Sequence, residues 1–426
     1  MSTIAREVST ALPQEPTLHP LRAGPSLEPR HFSSIRRELL LKYCKWDPQV
    51  GDVSTLAPFP LFMDTRCWSE LETLAENLTG ELLAAEKELL ERDELHTVLA
   101  IPRALRRVLR NAQQRGPTPS AVRVMRFDFH WTDSGWQISE VNADVPGGFS
   151  EASEFTRLMS ESFPATSAPG DPARVWADRI EGTAAGQPIA LLAAAGFMED
   201  QQVISYLARV LREVGMDART AGPLQLEWKS GRAYLSGHAL GAIVRFYQAE
   251  WLSQLSRRSQ WPYLLTGGKT PVSNPLPCIF GESKRFPLVW NSIPNKLPTW
   301  RRLLPETRDP RDAPWRSDDS WLIKSAWCNT GDSVSARGLI HDREWRRAFW
   351  SATFYPEQRE PQLFLWTCPA PKASRPGSRS SNWVIVRYRS ITRCRSCFQT
   401  PQHLRFRWSR SRRQLRHKRT WICSCR

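Results

Sequence analysis

Arg126, Asp128, Glu140 and Asn142 are the residues whose types and spacing best fit chemistry in this chain. They fall in two short runs, Arg-Phe-Asp-Phe-His (126–130) and Glu-Val-Asn (140–142), on either side of Thr132-Asp133-Ser134-Gly135. Strand side chains alternate, so Arg126, Asp128 and His130 share one face while Phe127 and Phe129 face a core. With 133–135 as a three-residue hairpin loop and Gly135 in the left-handed conformation, Asp128 comes opposite Glu140 and Arg126 opposite Asn142. Two carboxylates directly across a hairpin repel. A hard cation removes the repulsion, and Asp, Glu and Asn supply the oxygen ligands that Mg²⁺ takes together with substrate phosphates. Arg126 beside them suits phosphate or developing negative charge. The same pattern also describes a solvated strand face on which Arg126 compensates the acids, and spacing leaves both readings open. His130 reads as structural or exposed. Trp131 and Trp136 flank the turn in positions to stack across it.

A second array starts at Lys324, the end of the apolar run Ser-Trp-Leu-Ile-Lys (320–324), and continues into Gly331, Ser333, Ser335 and Gly338 of a polar loop. A lysine ending a strand can aim its ammonium at nucleotide phosphates, and a Gly/Ser loop can bring backbone amides close to them. The loop is neither a Walker A sequence nor a dinucleotide fingerprint, and an ordinary polar turn has the same composition. Lys284, in Gly-Glu-Ser-Lys (281–284), is a second candidate lysine ahead of an apolar stretch. No Ser, Cys and His spacing marks a nucleophilic triad.

The elements that must hold these residues form an α+β or α/β chain. Residues 1–34 are Pro-rich and aperiodic up to about Pro29, a flexible lead-in. Helical patterns run from Ile35 to about Gln114, including Leu71–Ala100 and a basic amphipathic stretch in which Arg103, Arg106, Arg107 and Arg110 could bind a polyanion but read better as the solvated face of a helix that carries Leu105 and Leu109 inward. The hairpin follows. Ile189–Ala195 reads as a buried strand, Gln201–Val214 as a helix closed by Gly215, and Leu224–Tyr234 as a hairpin around Lys229-Ser230-Gly231. Ile243–Leu255 reads as helical or mixed, and Asp342–Trp350 as a helix after the glycine loop.

The chain has 426 residues, 41% hydrophobic and 24% charged, enough for two or three domains. Its longest apolar run, Ile189–Met198, is too short to span a bilayer, and the first residues show no apolar signal region. Residues 361–426 carry 14 Arg and 2 Lys without one Asp or Glu, so they account for the whole net charge of +16. The rest balances at 43 basic and 43 acidic side chains. Five of nine cysteines (Cys368, Cys394, Cys397, Cys423, Cys425) fall in that segment, and Cys44, Cys67, Cys278 and Cys328 are scattered as in a reducing cytoplasm. Only Trp383–Tyr388 reads as a strand there. A shifted reading frame beyond about residue 360 accounts for the change. The alternatives are an extended basic appendage, with Phe406, Trp408 and Trp421 among its arginines to bind nucleic acid, and a zinc site on Cys394, Cys397, Cys423 and Cys425 with His403 or His417.

Over roughly residues 35–365 the arrays resemble the glutathionylspermidine synthase family, whose synthetase domain is an ATP-grasp-type carboxylate–amine ligase. Arg-x-Asp (126–128) followed by Glu-Val-Asn-Ala-Asp-Val-Pro (140–146) is similar to that family's R-x-D and E-x-N-A-D-x-P. The Asn274-Pro275 region with Glu282-Ser283-Lys284 resembles the segment before its first ATP-contacting lysine. Trp321–Gly338 resembles its second lysine strand and glycine loop, and Gly237–Trp251 a linking region. The resemblance implies ATP and Mg²⁺ as cofactors, with Asp128, Glu140 and Asn142 as metal ligands and Arg126 as the catalytic cation. Lys284, Lys324, Gly331, Ser333, Ser335 and Gly338 would hold the nucleotide. It implies a small peptide or amino-acid carboxylate and an amine as substrates, glutathione and a polyamine in the family's own case.

The implied layout is a pre-ATP-grasp-like domain at 35–260, an incomplete ATP-grasp-type region at 261–366 and a basic tail at 367–426, without an amidase domain. Where family members carry hydroxyl residues around E-x-N-A-D-x-P, this chain has Asp144-Val145-Pro146-Gly147-Gly148, which weakens the case for glutathione. With the closing half replaced by the basic segment, weak ATP binding and little turnover are expected.

Overall fold

The computed structural model describes residues 20–50, 53–113, 120–132, 134–309 and 321–327, together with residues 312, 335–336, 343, 345–346 and 363–367. Gly331, Ser333 and Gly338, the Trp383–Tyr388 run and all the candidate zinc ligands lie outside the described residues. Mixed helices and strands build the body, as the α+β or α/β patterning requires.

The longest helix, Thr65–Leu90, starts where the Asp64 carboxylate accepts the Arg66 N–H at 2.8 Å, satisfying a donor the first turn leaves open. Leu74, Leu78, Leu82, Ala85 and Leu89 form its buried stripe, three or four residues apart. Helix Arg103–Gln113 follows, with Leu105 and Leu109 fully buried and the arginine face outward. Ahead of both, helix Pro29–Lys42 begins inside the expected lead-in, and strand Leu21–Ala23 pairs antiparallel with Leu61–Met63.

A three-stranded parallel sheet lies at the centre, in the order Ala242–Phe246, Ile189–Ala193, Ala218–Ala221. Its period of two divides the interior. Ile189, Leu191, Ala193, Val244 and Phe246 pack with helices Pro172–Ala184 and Met198–Glu213. Ala190, Leu192 and Ile243 face the larger core that also contains the Thr65–Leu90 stripe and the hairpin. The segment expected to be helical or mixed is mixed, since Ala242–Phe246 is a strand and only Ala249–Leu252 is helical. Leu226–Lys229 and Arg232–Leu235 form the expected hairpin, and Ser230 and Gly231 take the positive φ values (50° and 77°) that its two-residue turn needs.

A second, antiparallel sheet runs Thr307–Arg308, Leu363–Thr367, Trp321–Ser325, Ser335–Ala336. Leu363–Thr367 is a strand that the composition of its segment hides, and it pairs along the whole of Trp321–Ser325.

Two contacts seat later helices on the long helix. Helix Cys278–Glu282 crosses at Gly281, where a Cβ would come within 2.7 Å of the Leu82 side chain. The first turn of Pro298–Leu303 is capped by Glu81, whose carboxylate accepts the N–H groups of Thr299 and Trp300 at 3.0–3.2 Å.

Candidate active site

Arg126–Thr132 and Gly135–Asn142 form the expected antiparallel hairpin. Trp131 and Trp136 pair across it edge to face, with ring centroids 5.1 Å apart. Two details differ from expectation. Thr132 pairs with Gly135, which begins the second strand at φ 91°, so Gly135 belongs to the strand and not to the loop. The register then shifts between Phe127 and Phe129, and this restores the expected pairing of Arg126 with Asn142. Asp128 therefore has no single partner opposite it. Ser139 and Glu140 both fall in the bulge, a device common beside active sites. The cause is the core: Trp136, Ile138 and Val141 are all buried there, and a step of three between the last two requires one extra residue. Ser139 is displaced toward His130, whose Nε2 lies 2.9 Å from its hydroxyl, and His130 thus has a structural partner.

Arg126 grips Asp128 with two parallel contacts, Nε to Oδ1 at 2.9 Å and Nη2 to Oδ2 at 3.3 Å. Its Nη1 donates to the Gly147 carbonyl at 3.2 Å, tying the hairpin to the Pro146–Gly148 turn. Burial opposes the charge on Arg126, but the nearby carboxylates of Asp128, Glu140 and Glu282 outweigh it and hold its pKa above the ordinary value.

Glu140 and Asn142 are each 7% exposed. Glu140 Oε2 lies 3.6 Å from the ammonium of Lys284, which also lies 3.4 Å from Glu282 Oε1. The other Glu282 oxygen accepts the N–H groups of Ala143 at 2.7 Å and Asp144 at 3.1 Å, just past Asn142. Glu282 therefore joins the end of the hairpin to Lys284. Beyond its place in the Glu282-Ser283-Lys284 segment, its signal in the sequence is an acid at the end of the apolar run Cys-Ile-Phe-Gly-Glu.

Asp144 and Arg245 were missed as a pair. Arg245, on the parallel strand, is fully buried and bonded to the Asp144 carboxylate. Asp144 also accepts the Ala249 N–H at 2.7 Å, and the Cys278 thiol lies 3.2 Å away. Burial, reinforced by Asp144, pushes that thiol well above its ordinary pKa. An arginine within the apolar strand run Ala-Ile-Val-Arg-Phe was the available signal, because a buried guanidinium demands a carboxylate.

Lys324 lies on the Trp321–Ser325 strand, 6% exposed, with Phe364 opposite in the register. Ser335 is placed by its backbone, opposite Ile323. The Lys284 N–H donates to the Ala326 carbonyl at 3.0 Å, so the two lysine-bearing segments are joined two residues past Lys324.

Oxygen donors at Asp128, Glu140 and Asn142 fit a hard divalent cation in type. Asn142 also has a buried amide Nδ2 with no hydrogen-bond partner among the described residues, a donor that suits an acceptor such as a phosphate oxygen rather than the cation itself. Among the described residues no three His, Cys, Asp or Glu side chains form a ready metal group. Asp128 and Glu140 instead face Arg126 and Lys284.

The sequence profile of the family described as glutathionylspermidine synthase preATP-grasp matches residues 62–345. A solved structure, a glutathione synthetase-like effector from Globodera pallida in its apo form, superposes with a TM-score of 0.50 at 12% identity, covering 72% of this chain and 73% of that one. At that identity the likeness concerns the fold. A search of curated proteins gives no match.

Proposed function

Because the chain belongs to the glutathionylspermidine synthase preATP-grasp family, we propose that its site serves ATP- and Mg²⁺-dependent joining of a carboxylate to an amine. In this reaction class the carboxylate takes the γ-phosphoryl group to become an acyl phosphate, and the amine displaces phosphate to give an amide. The observation that carries the reading is the two-point grip of Arg126 on Asp128 beside Glu140 and Asn142. This grip fixes one cation and a set of oxygen donors on one hairpin.

Each residue has work of its own. Arg126 is rigidly oriented by Asp128 and the Gly147 carbonyl, and its charge is suited to stabilising the transferring phosphoryl group and the tetrahedral species that follows. Asp128, Glu140 and Asn142 are the proposed ligands of Mg²⁺, which when bound neutralises phosphate charge and orients the transfer. Lys324, with Lys284 and the loop residues Gly331, Ser333, Ser335 and Gly338, is the proposed nucleotide-binding set. The division into residues 35–260 for the hairpin domain and 261–366 for the nucleotide region follows from this assignment. The acid substrate is a small peptide or amino acid, and the amine a polyamine or another small amine.

Turnover in this chain is proposed to be weak, because the acid-free basic segment beyond Thr367 takes the place of sequence expected to complete the nucleotide cleft. The test is ATP hydrolysis and amide formation with glutathione or a short peptide plus spermidine, comparing this chain with Asp128→Ala. A small ATP- and Mg²⁺-dependent turnover that Asp128→Ala abolishes is the expected result. Turnover equal in both proteins removes the hairpin from the chemistry.

A further inference from the structure

The position of Lys284 bears on how a cation enters the site. A lysine assigned to nucleotide phosphate would be expected to face the antiparallel sheet that carries Lys324. Instead its ammonium lies between two carboxylates, 3.6 Å from Glu140 and 3.4 Å from Glu282, with 5% of the side chain exposed. One of these carboxylates is a proposed metal ligand. The other is fixed at its far oxygen by the backbone N–H groups of Ala143 and Asp144, so it cannot follow a departing lysine without leaving two buried donors unsatisfied. Glu282 thus sets where the ammonium sits, and that place is against Glu140.

The charges of the cluster lead to the same conclusion. Asp128, Glu140 and Glu282 bring three negative charges, and Arg126 and Lys284 bring two positive ones. Arg126 is committed to Asp128 at two points. An ammonium held against Glu140 repels any divalent cation that approaches the same oxygen, and at a few ångströms that repulsion is strong in a water-poor setting. With the lysine charge removed, the remaining charge matches one divalent ion.

We infer that Lys284 is a resident cation that competes with the divalent metal for Glu140, held in place by Glu282 as a positioning residue. Metal entry at Glu140 displaces the ammonium, and displacement makes it available to nucleotide phosphate. The site therefore couples metal binding to the availability of Lys284. This inference rests on the proposed metal reading of the hairpin and adds the competing group to it.

The test is direct metal binding by the full chain without nucleotide, with Mn²⁺ as probe, read from the electron paramagnetic resonance signal of the free ion and from titration calorimetry. Wild type, Lys284→Met, Lys284→Gln and Glu140→Gln are compared, with circular dichroism and thermal unfolding to establish that each is folded. Both lysine variants are expected to bind Mn²⁺ at least about tenfold more tightly than wild type, and Glu140→Gln is expected to lose the site. If the lysine variants bind no more tightly while Glu140→Gln still loses binding, the competition is wrong and the metal reading stands. If neither wild type nor a folded lysine variant binds Mn²⁺, both are overturned. Should Lys284→Met fail to fold, Lys284→Gln decides alone, since its amide keeps a donor toward Glu282 without the charge.

Discussion

Arg245 and Asp144 meet in the interior as a guanidinium–carboxylate pair that joins the central parallel sheet to the segment immediately after Asn142. Asn274 completes the junction. Its Nδ2 donates to the Asp144 carbonyl at 2.9 Å, and its own carbonyl accepts from Arg245 at 2.8 Å. The hairpin's end is therefore fixed from below by Arg245 and from the side by Glu282.

Arg245→Met should destabilise the protein by about 3–5 kcal/mol, because it leaves the Asp144 charge buried without its partner. Replacing both, as Arg245→Met with Asp144→Leu, should cost less than the single change in Arg245. Urea unfolding of the two proteins measures the difference. A single-mutant loss below about 1 kcal/mol would show that the pair does not hold the junction. The same burial predicts that Cys278, fully buried beside Asp144, resists thiol reagents in the native protein while half-buried Cys44 and Cys67 react.

The hairpin was legible because its signals are local. Alternation and a glycine turn place Arg126 opposite Asn142 with no knowledge of the rest of the chain. The bulge was not read, although Trp136, Ile138 and Val141 contain the necessary step of three, because one strand does not announce which apolar residues a distant core will take. Glu282 and Arg245 lie further out of reach. Their partners are 138 and 101 residues away in the chain, and only the packing of Gly281 on Leu82 and the crossover of the parallel sheet bring them together. Leu363–Thr367 illustrates the opposite difficulty, since a strand can pair by its backbone inside a segment whose composition looks foreign.

A second buried cluster should give the protein a pH signature. The Lys45 ammonium lies 2.6 Å from both Asp47 and Glu151, clamping the segment after the first helix to the π-helical turn Glu151–Phe155. Burial disfavours both charges, but Lys45 holds the Glu151 carboxyl below its ordinary pKa, and Glu151 with Asp47 holds the Lys45 ammonium above its own. The Glu151 contribution is present above its unfolded pKa of about 4.3 and is lost as pH falls through the lower folded value. The Lys45 contribution is present below its unfolded pKa of about 10.4 and is lost as pH rises through the higher folded value. Lys45→Met should therefore cost about 3 kcal/mol at neutral pH, and the gap to wild type should narrow as the solution is acidified below about pH 4.3. Denaturant titrations of both proteins at pH 7 and at a series of values well below about pH 4.3 measure it. A gap that stays constant or widens in acid would refute the clamp.

Two glycines, one entering the parallel sheet and one on the exposed face of a helix packed on it, should respond to the same change in opposite directions. Gly241 enters strand Ala242–Phe246 directly beneath helix Pro172–Ala184, and a Cβ there would lie 2.3 Å from the Ala184 carbonyl oxygen and 2.9 Å from Gln187 Cβ. Backbone cannot rotate away as a side-chain tip can, so Gly241→Ala must push the helix off the sheet, at a cost of about 1–3 kcal/mol. Gly182, inside that helix, has nothing within 4 Å of a built Cβ. There the alanine meets no neighbour and restricts the unfolded chain, so Gly182→Ala should stabilise by about 0.5–1 kcal/mol. Both variants touch the same helix and are compared in one series of thermal or urea unfolding curves. A neutral Gly241→Ala would mean that the Ala184–Gly241 contact is looser than the structure has it, and the helix could then shift without disturbing the strand that carries Arg245.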